Sequence, residues 1–366
     1  MSRRPLEEHL VKHLILALVV CLLSAPPLSA QWLTHPTPGL PRAADGKPDL
    51  AAPTKRTAEA LPDLSGLWRM NGLGYAFDIL GGQAVELLPW ARDVYAARIR
   101  SFAKESPETN CLPAGPRAGL FGMAPVKFVH TPGLLLILHE DAPPRQVFMD
   151  GRRLPEDPNP AWMGYSVGRW EGDTLVVDSA GFNDRGWLDL SGHPHTEALR
   201  VTERFQRLDT GRMRLEMTFD DPNTYSRPWT IAVDMHLMPD TELLENVCHE
   251  NEKDRPRLVG RLEDDLAQKV TLAPDILAQY VGSYAAGPIG KIMVVIHAGE
   301  LALVLPGGEA RHPALAKSEQ QFLAPTLGTP LQFVKNERGE VTHLRVTSVE
   351  GDINAPRVTG AVGQGH

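Results

Sequence analysis

Glu203 is a candidate for proton transfer, because the sequence pattern places its carboxylate on the apolar face of a predicted strand. Side chains alternate between the two faces of a strand, so Glu203 in the run 199–207 shares a face with Leu199, Val201 and Phe205. A carboxylate on an apolar face needs a cation or several donors, or it takes up a proton. A carboxyl group that holds a proton near neutral pH suits a general acid or base. A structural Glu–Arg pair fits the same pattern, so both interpretations stay open.

His195 is the second candidate for this chemistry. It lies at the end of the loop 181–195, which leads into the Glu203 strand. A carboxylate and an imidazole within reach of each other support metal-independent catalysis of the isomerase, lyase, hydratase or hydrolase type. His193 and His195 also resemble part of a metal site, but zinc needs a third protein ligand at recognisable geometry. The sequence therefore predicts neither a metal nor a cofactor.

Two further groups of residues are candidates for ligand contacts. Arg145 and Arg152 carry guanidinium groups, which can grip a carboxylate or another planar anion with two hydrogen bonds. The loop 181–195 is polar, and loops on a rigid scaffold commonly carry function. Its ligand-binding candidates are Asn183, Asp184, Trp187 and Asp189. Asn and Asp are also what turns need, so turn chemistry is the alternative for this loop.

The elements that must position these residues are short strands joined by turns. Hairpins are predicted over 165–178, 199–219 and 229–248, each with a Gly- or Pro-containing turn at its centre. A helix is predicted over 89–104, because apolar residues recur near one face. After the hairpins, the charged segment 250–265 is predicted to be a connector, and a second β unit begins close to residue 273.

The predicted fold class is mostly β with few helices, arranged as two antiparallel β units. We expect a flexible leader at 31–60, a larger barrel or sandwich over 61–265 and a smaller β-barrel over 270–366. The 32 glycines and 32 prolines favour many turns over long helices. With a net charge of −8 and no basic stripe, the chain is not expected to bind nucleic acid.

The first thirty residues have the form of a secretory signal peptide. A basic start precedes the apolar run 14–23, and Leu28-Ser29-Ala30 offers small residues for cleavage. That run is shorter than the ~20 residues needed to span a bilayer, so no transmembrane segment is expected in the mature chain. The sequence predicts a periplasmic or secreted protein. In such an oxidising compartment Cys111 and Cys248 are expected to form a disulfide, with two unpaired thiols as the alternative.

Several motifs carry a resemblance to a known family. The segments DLSGLW, GYSVGRWEGDTLVVDSAGFND and ENVCHEN resemble those of a largely uncharacterised family of secreted bacterial proteins. The resemblance covers roughly residues 62–251 and implies a lipocalin-like β architecture, but it implies no activity. The C-terminal hundred residues loosely resemble the β module appended to some penicillin-recognising serine hydrolases, without bringing hydrolase chemistry to this chain.

Barrels of this kind hold a small ligand in their interior or mouth. The sequence therefore predicts an exported protein that binds a small, partly apolar organic molecule, with acid–base catalysis by Glu203 and His195 as the extension. A non-catalytic periplasmic carrier or an envelope interaction module is the alternative. Nothing in the sequence indicates an oligomeric state or a particular substrate.

Overall fold

The computed structural model describes nine stretches of the chain. They are residues 35–70, 85–102, 104–117, 124–248, 266–287, 290–306, 311–327, 329–347 and 352–358. The predicted signal peptide lies outside the described residues. Among the described residues, those within 40–238 and 243–358 group into one compact unit, which contains the strands named below. In the smaller group, described over 35–39 and 239–242, Thr37 and Asp240 exchange backbone-to-side-chain hydrogen bonds of 2.9 and 2.8 Å.

Nine strands close into a first barrel. Neighbouring strands are antiparallel except β4 and β5, which run parallel, and the pairing of β1 with β9 closes the barrel. The strands are β1 (Gly66–Met70), β2 (Val126–Thr131), β3 (Leu134–His139), β4 (Arg145–Phe148), β5 (Tyr165–Glu171), β6 (Thr174–Ala180), β7 (Arg200–Arg207), β8 (Arg212–Asp220) and β9 (Trp229–Leu237).

Eight strands form a second, nearly closed antiparallel sheet. They follow one another in sequence order, and a bridge between Tyr284 and Arg357 joins the region of the last strand to the first. The strands are β10 (Gly282–Ala285), β11 (Lys291–His297), β12 (Glu300–Val304), β13 (His312–Ala316), β14 (Gln321–Ala324), β15 (Thr329–Lys335), β16 (Val341–Val346) and β17 (Ile353–Pro356). The prediction of a mostly β fold with two β units is confirmed, and the larger unit is a barrel.

Alternation of side chains decides what fills the first barrel. On β8, Met213, Leu215 and Met217 are buried, while Arg212 and Arg214 are exposed on the outer face. The same period of two on β7 turns Glu203 inward, where the residue is 3 % exposed. Because the pleat fixes this alternation, the burial of Glu203 follows from its position in the sequence pattern.

One end of the first barrel is closed by an aromatic ring and a guanidinium group. Trp68 is fully buried and donates from Nε1 to Leu64 O at 3.0 Å. The Arg207 guanidinium lies 4.9 Å from the Trp68 ring centroid and donates to Thr210 O at 2.7 Å and to Asp63 O. A cation over an aromatic face is attracted by the ring. The Trp68 ring and the Arg207 guanidinium therefore stabilise each other where they close this end of the barrel.

The other end is covered by a helix, α1 (Pro89–Arg100). Ala91, Tyr95 and Ile99, spaced four residues apart, face the barrel core. The helix was predicted to continue to residue 104, but it ends at Arg100. Phe102 has a φ of +55°, a left-handed conformation that a helix cannot continue through. A second helix, α2 (Pro274–Tyr280), packs Leu277 and Tyr280 into the second sheet.

Two segments differ from their sequence-based expectations. Residues 242–248 were predicted to pair with β9, yet they form no strand, because both edges of β9 are already paired with β8 and β1. Residues 40–60 belong to the predicted flexible leader, but this segment contacts the barrel through hydrogen bonds. The amides of Thr210 and Gly211 donate to the carbonyls of the 50–52 segment at 2.9 and 2.8 Å.

Cys111 and Cys248 form a disulfide, as predicted, with their Cα atoms 5.6 Å apart. The bond joins residues separated by 137 positions, so it encloses all of β2 to β9. In the chain-entropy treatment, a loop of this length stabilises the folded state by about 4–5 kcal/mol, less any strain. Within the described residues, no helix combines the length and apolar character needed to cross a bilayer.

Candidate functional site

A charged pair lies inside the first barrel. Arg145 at the start of β4 points inward and reaches Glu203 on β7, with Nη1 2.9 Å from Oε1 and Nη2 in contact with Oε2. The intervening strands supply two hydroxyl groups. Arg145 Nε donates to Ser166 Oγ at 2.9 Å, Nη2 donates to Ser179 Oγ at 2.7 Å, and the two hydroxyls lie 2.8 Å apart. The network therefore spans four consecutive strands.

This geometry has an energetic meaning. Both Arg145 and Glu203 are removed from water, with side-chain exposures of 12 % and 5 %. Desolvation of two charges is repaid only by good geometry and further hydrogen bonds, and both conditions hold here. Each carboxylate oxygen of Glu203 receives a guanidinium N–H. The structural Glu–Arg interpretation of Glu203 matches this arrangement, because the carboxylate is held as an acceptor by a bidentate cation.

His139 lies beside this pair at the end of β3. Its Nδ1 and Nε2 atoms are buried, and neither has a hydrogen-bond partner among the described residues. Burial, together with the positive charge of Arg145, lowers the pKa of His139 to about 4. The imidazole is therefore neutral at physiological pH, with one donor and one acceptor unused.

These groups line one chamber. Its empty space is about 490 Å³ including the open mouth, but only about 30 Å³ of it can hold the centre of a water molecule. The rest of its wall is apolar: the methionines Met70, Met163, Met217 and Met235, the phenylalanines Phe128, Phe182 and Phe205, and Pro116, Val126, Ile137, Val201 and Leu215. Methionine side chains are unbranched and adapt their shape readily, so the four methionines can rearrange more easily than the branched residues of the same wall.

His195 does not join Glu203. Its Nδ1 atom lies 3.2 Å from Thr196 O, and its buried Nε2 atom has no partner among the described residues. Burial lowers the pKa of His195, against the opposing effects of Thr196 and Asp221. A Cβ atom added at Gly186 would lie 3.0 Å from His195 Nε2, which places the ring against the loop backbone. His195 is not one of the residues that line the chamber.

Asp189 organises the loop from within. It is fully buried and accepts from Gly192 N at 2.8 Å and His193 N at 3.0 Å, with its Oδ2 atom 2.5 Å from His193 Nδ1. The His193 ring stacks on Tyr95 of α1 at a centroid distance of 3.9 Å. These contacts satisfy the hydrogen-bonding capacity of a buried carboxylate, and they join the loop to the helix.

The other loop candidates also serve the loop itself. Asn183 Oδ1 accepts from Arg185 N at 3.2 Å, which is an Asx turn. Trp187 is 3 % exposed, and the Arg98 guanidinium lies 4.5 Å from its ring centroid. Asp184 is exposed. The structure does not bring the loop residues to Arg145 and Glu203, so they form a separate group.

Arg152 lies outside the barrel, away from Arg145. It donates from Nε to Asp150 Oδ1 at 2.9 Å, from Nη2 to Asp150 Oδ2 at 2.6 Å and from Nη1 to Tyr165 Oη at 3.0 Å. Its guanidinium also stacks on the Phe148 ring at 3.9 Å. The two arginines that the sequence grouped together therefore belong to opposite sides of the same wall.

Two serines stand in patterns typical of nucleophiles, and neither has the matching structure. Ser166 is central in Gly164-Tyr165-Ser166-Val167-Gly168, but it lies within β5 and not at the strand-to-helix turn that a nucleophile elbow requires. Ser101, three residues before Lys104, follows the last turn of α1 and donates to Arg98 O at 3.1 Å.

Sequence reasoning missed His139. The alternation that turns Leu135 and Ile137 inward on β3 also turns His139 inward, so extending the predicted strand by one residue would have found it. The sequence matches no family model and no curated protein. The resemblance to secreted lipocalin-like proteins remains an expectation.

Proposed function

We propose that the first barrel binds a small, partly apolar organic molecule in the chamber beside Arg145 and Glu203. The observation that carries this proposal is the His139 ring, whose two buried nitrogens have no partner among the described residues. Leaving a buried polar group unsatisfied costs about 1–3 kcal/mol. A ligand that hydrogen-bonds to this imidazole removes that cost, whereas the Arg145–Glu203 pair already has its partners.

The chamber also defines the ligand's chemistry. A neutral imidazole offers one donor and one acceptor, which suits a hydroxyl, carbonyl or amide group. The methionine and phenylalanine wall suits an apolar body. Very little of the chamber is wide enough to hold even a water molecule. Binding of an organic molecule therefore requires Met70, Met163 or Met217 to change rotamer. We therefore expect slow association compared with a preformed pocket.

Acid–base catalysis on the bound molecule is the second candidate function. The observation that favours it is that His139 and Glu203 line the same chamber, so a base and a carboxylate meet the same ligand. In this form of the hypothesis His139 takes the role first given to His195. Export is part of the proposal as well, because the Cys111–Cys248 disulfide suits an oxidising compartment.

The test begins with native mass spectrometry of the full mature chain purified from the compartment into which it is exported. Release of a bound molecule by denaturation would give the ligand class. Its affinity would then be measured by titration against wild type, His139→Phe and Met217→Trp, with the exposed Met293→Trp of the second sheet as matched control. We expect both chamber variants to weaken binding at least tenfold and the control to bind like wild type.

The two candidate functions separate in the same experiment. A ligand recovered unchanged after long incubation supports a carrier, whereas conversion that His139→Gln abolishes supports catalysis. If the purified barrel is empty and also binds no member of a panel of apolar alcohols, ketones and amides, the chamber proposal fails. An envelope interaction module would then be the better account of the fold.

A further inference from the structure

A second cavity lies on the outer wall of the first barrel. Its empty space is about 1370 Å³, including its opening to solvent. The segment that follows β4 forms one side, and the outer faces of β5, β6 and β7 form the floor. Four arginines line this groove, Arg152, Arg153, Arg169 and Arg200, together with two carboxylates, Glu156 and Asp178. This concentration of positive charge stands out in a chain whose net charge is −8.

Two of the four arginines already have anionic partners. Arg152 holds the Asp150 carboxylate, and Arg169 contacts Asp178 and Glu171. Asp178 also accepts from Thr202 Oγ1 at 2.8 Å. Asp178 on the floor of the groove is therefore fully engaged, and the exposed Glu156 is the second carboxylate among the lining residues. The lining thus combines four guanidinium groups with two carboxylates.

The other two arginines are available. Arg153 and Arg200 are exposed, and neither makes an ion pair or a side-chain hydrogen bond within the part of the chain that the structure describes. Asp220 faces Arg200 in the β7–β8 register without forming such a pair. Like charges on one surface repel each other, and a bound anion would relieve this repulsion.

The position of Arg153 is fixed by its neighbour. Arg152 is held at three points, by Asp150, by Tyr165 Oη and by the Phe148 ring. The turn before it has Gly151 at a φ of +82°, a conformation that suits glycine. Arg152 is therefore a positioning residue that anchors the chain where Arg153 begins, so less backbone freedom remains to be lost when a ligand binds.

We propose that this groove is a binding site for a tetrahedral oxyanion, of the phosphate or sulfate type, held by Arg153 and Arg200. A guanidinium group presents a rigid fork of N–H donors that matches such oxygens. Two forks that each donate two hydrogen bonds would crowd on the two oxygens of one carboxylate, whereas a phosphate presents up to four oxygens. The groove lies on the outer side of β5 to β7, and Val201 is the one lining residue that it shares with the inner chamber.

The test uses calorimetric titration of the full chain with inorganic phosphate, sulfate and acetate at equal ionic strength. We expect phosphate to bind more tightly than acetate, and Arg153→Gln and Arg200→Gln each to weaken phosphate binding about tenfold, as for a hydrogen bond to a charged group. The matched control is Arg214→Gln, an outer-face arginine of β8 that pairs with Asp234. Its phosphate affinity should equal that of wild type.

Two further outcomes decide the matter. The chamber variant Met217→Trp should bind phosphate like wild type, which separates this site from the proposed ligand chamber. If phosphate binds no more tightly than acetate, or if the Arg153→Gln/Arg200→Gln double variant binds it unchanged, the proposal is overturned. Urea denaturation of each variant confirms that a loss of binding is not a loss of folding.

Discussion

The two barrels of this protein fill their interiors in different ways. The second packs aromatic rings, with Phe333 stacked on Tyr280 at 4.4 Å and in edge contact with Phe322 at 5.4 Å. The polar ends of its tyrosines are satisfied by backbone carbonyls, since Tyr280 Oη donates to Glu319 O and Tyr284 Oη to Tyr280 O, both at 2.7 Å. Its core is held by ring packing and neutral hydrogen bonds.

The first barrel instead buries a charged pair and the His139 imidazole, which has no hydrogen-bond partner in the described part of the chain. Arg145 and Glu203 satisfy each other, but His139 does not share their hydrogen bonds. Burial of polar groups alone therefore does not indicate a binding site. The first barrel differs because buried nitrogen atoms that lack a hydrogen-bond partner lie beside an apolar wall that contains flexible methionines. Among the described residues, the second barrel has fewer such atoms.

The largest expected effect comes from breaking the buried pair. Arg145→Met or Glu203→Leu alone leaves an uncompensated buried charge, so each should lower the free energy of unfolding by about 3–5 kcal/mol. The double variant should recover most of that loss, because two apolar side chains of similar volume replace two desolvated charges. All seven tryptophans precede residue 230, so their fluorescence during urea denaturation follows the first barrel. Losses that simply add in the double variant would contradict this account.

Acid should destabilise both barrels through their buried histidines. Burial lowers the pKa of His139 to about 4, with Arg145 adding to the effect, and burial lowers that of His312 to about 4, against the opposing charge of Asp189. The unfolded state binds a proton near pH 6.5 and the folded state only near 4. Stability is therefore complete above pH 6.5 and falls by about 1.4 kcal/mol per pH unit per histidine toward pH 4.

This acid effect can be assigned to each barrel separately. His139→Phe should flatten the pH dependence reported by tryptophan fluorescence, and His312→Phe should flatten the part seen only by far-ultraviolet circular dichroism. The measurement is the urea midpoint at pH 7, 6 and 5. Equal slopes for wild type and both variants would show that other groups control acid sensitivity.

The smallest effect is expected on the outer face of the same sheet. Arg214 and Asp234 lie 3.6 Å apart with side-chain exposures of 50 % and 57 %. Water screens such a pair, so Arg214→Met should change the free energy of unfolding by less than about 1 kcal/mol. Urea denaturation beside Arg145→Met measures the inner and outer pairs under identical conditions. A comparable loss at Arg214 would remove burial as the explanation for the larger effect.

Sequence alone predicted the alternation that turns Glu203 inward, two of the three hairpins and the cysteine pair. It did not predict the partner of Glu203, because Arg145 is three strands away and meets it only after β4 and β5 pair in parallel. It grouped Arg145 with Arg152, although the chain turns at Gly151 and takes Arg152 to the outside. It paired residues 242–248 with β9, because local pattern does not reveal that β1 already occupies that edge.

The first barrel can close only after its last strand, β9, has been synthesised. Met70 of β1 pairs with Met235 of β9, which is 165 residues later (235 − 70). At roughly 5–20 residues per second of synthesis, about 8–33 s separate the appearance of these two strands at the ribosome. Throughout that interval the edge of β1 that awaits β9 has no partner, and open strand edges recruit other chains. A nascent chain therefore has to be protected from strand pairing with other copies of itself until β9 has been synthesised.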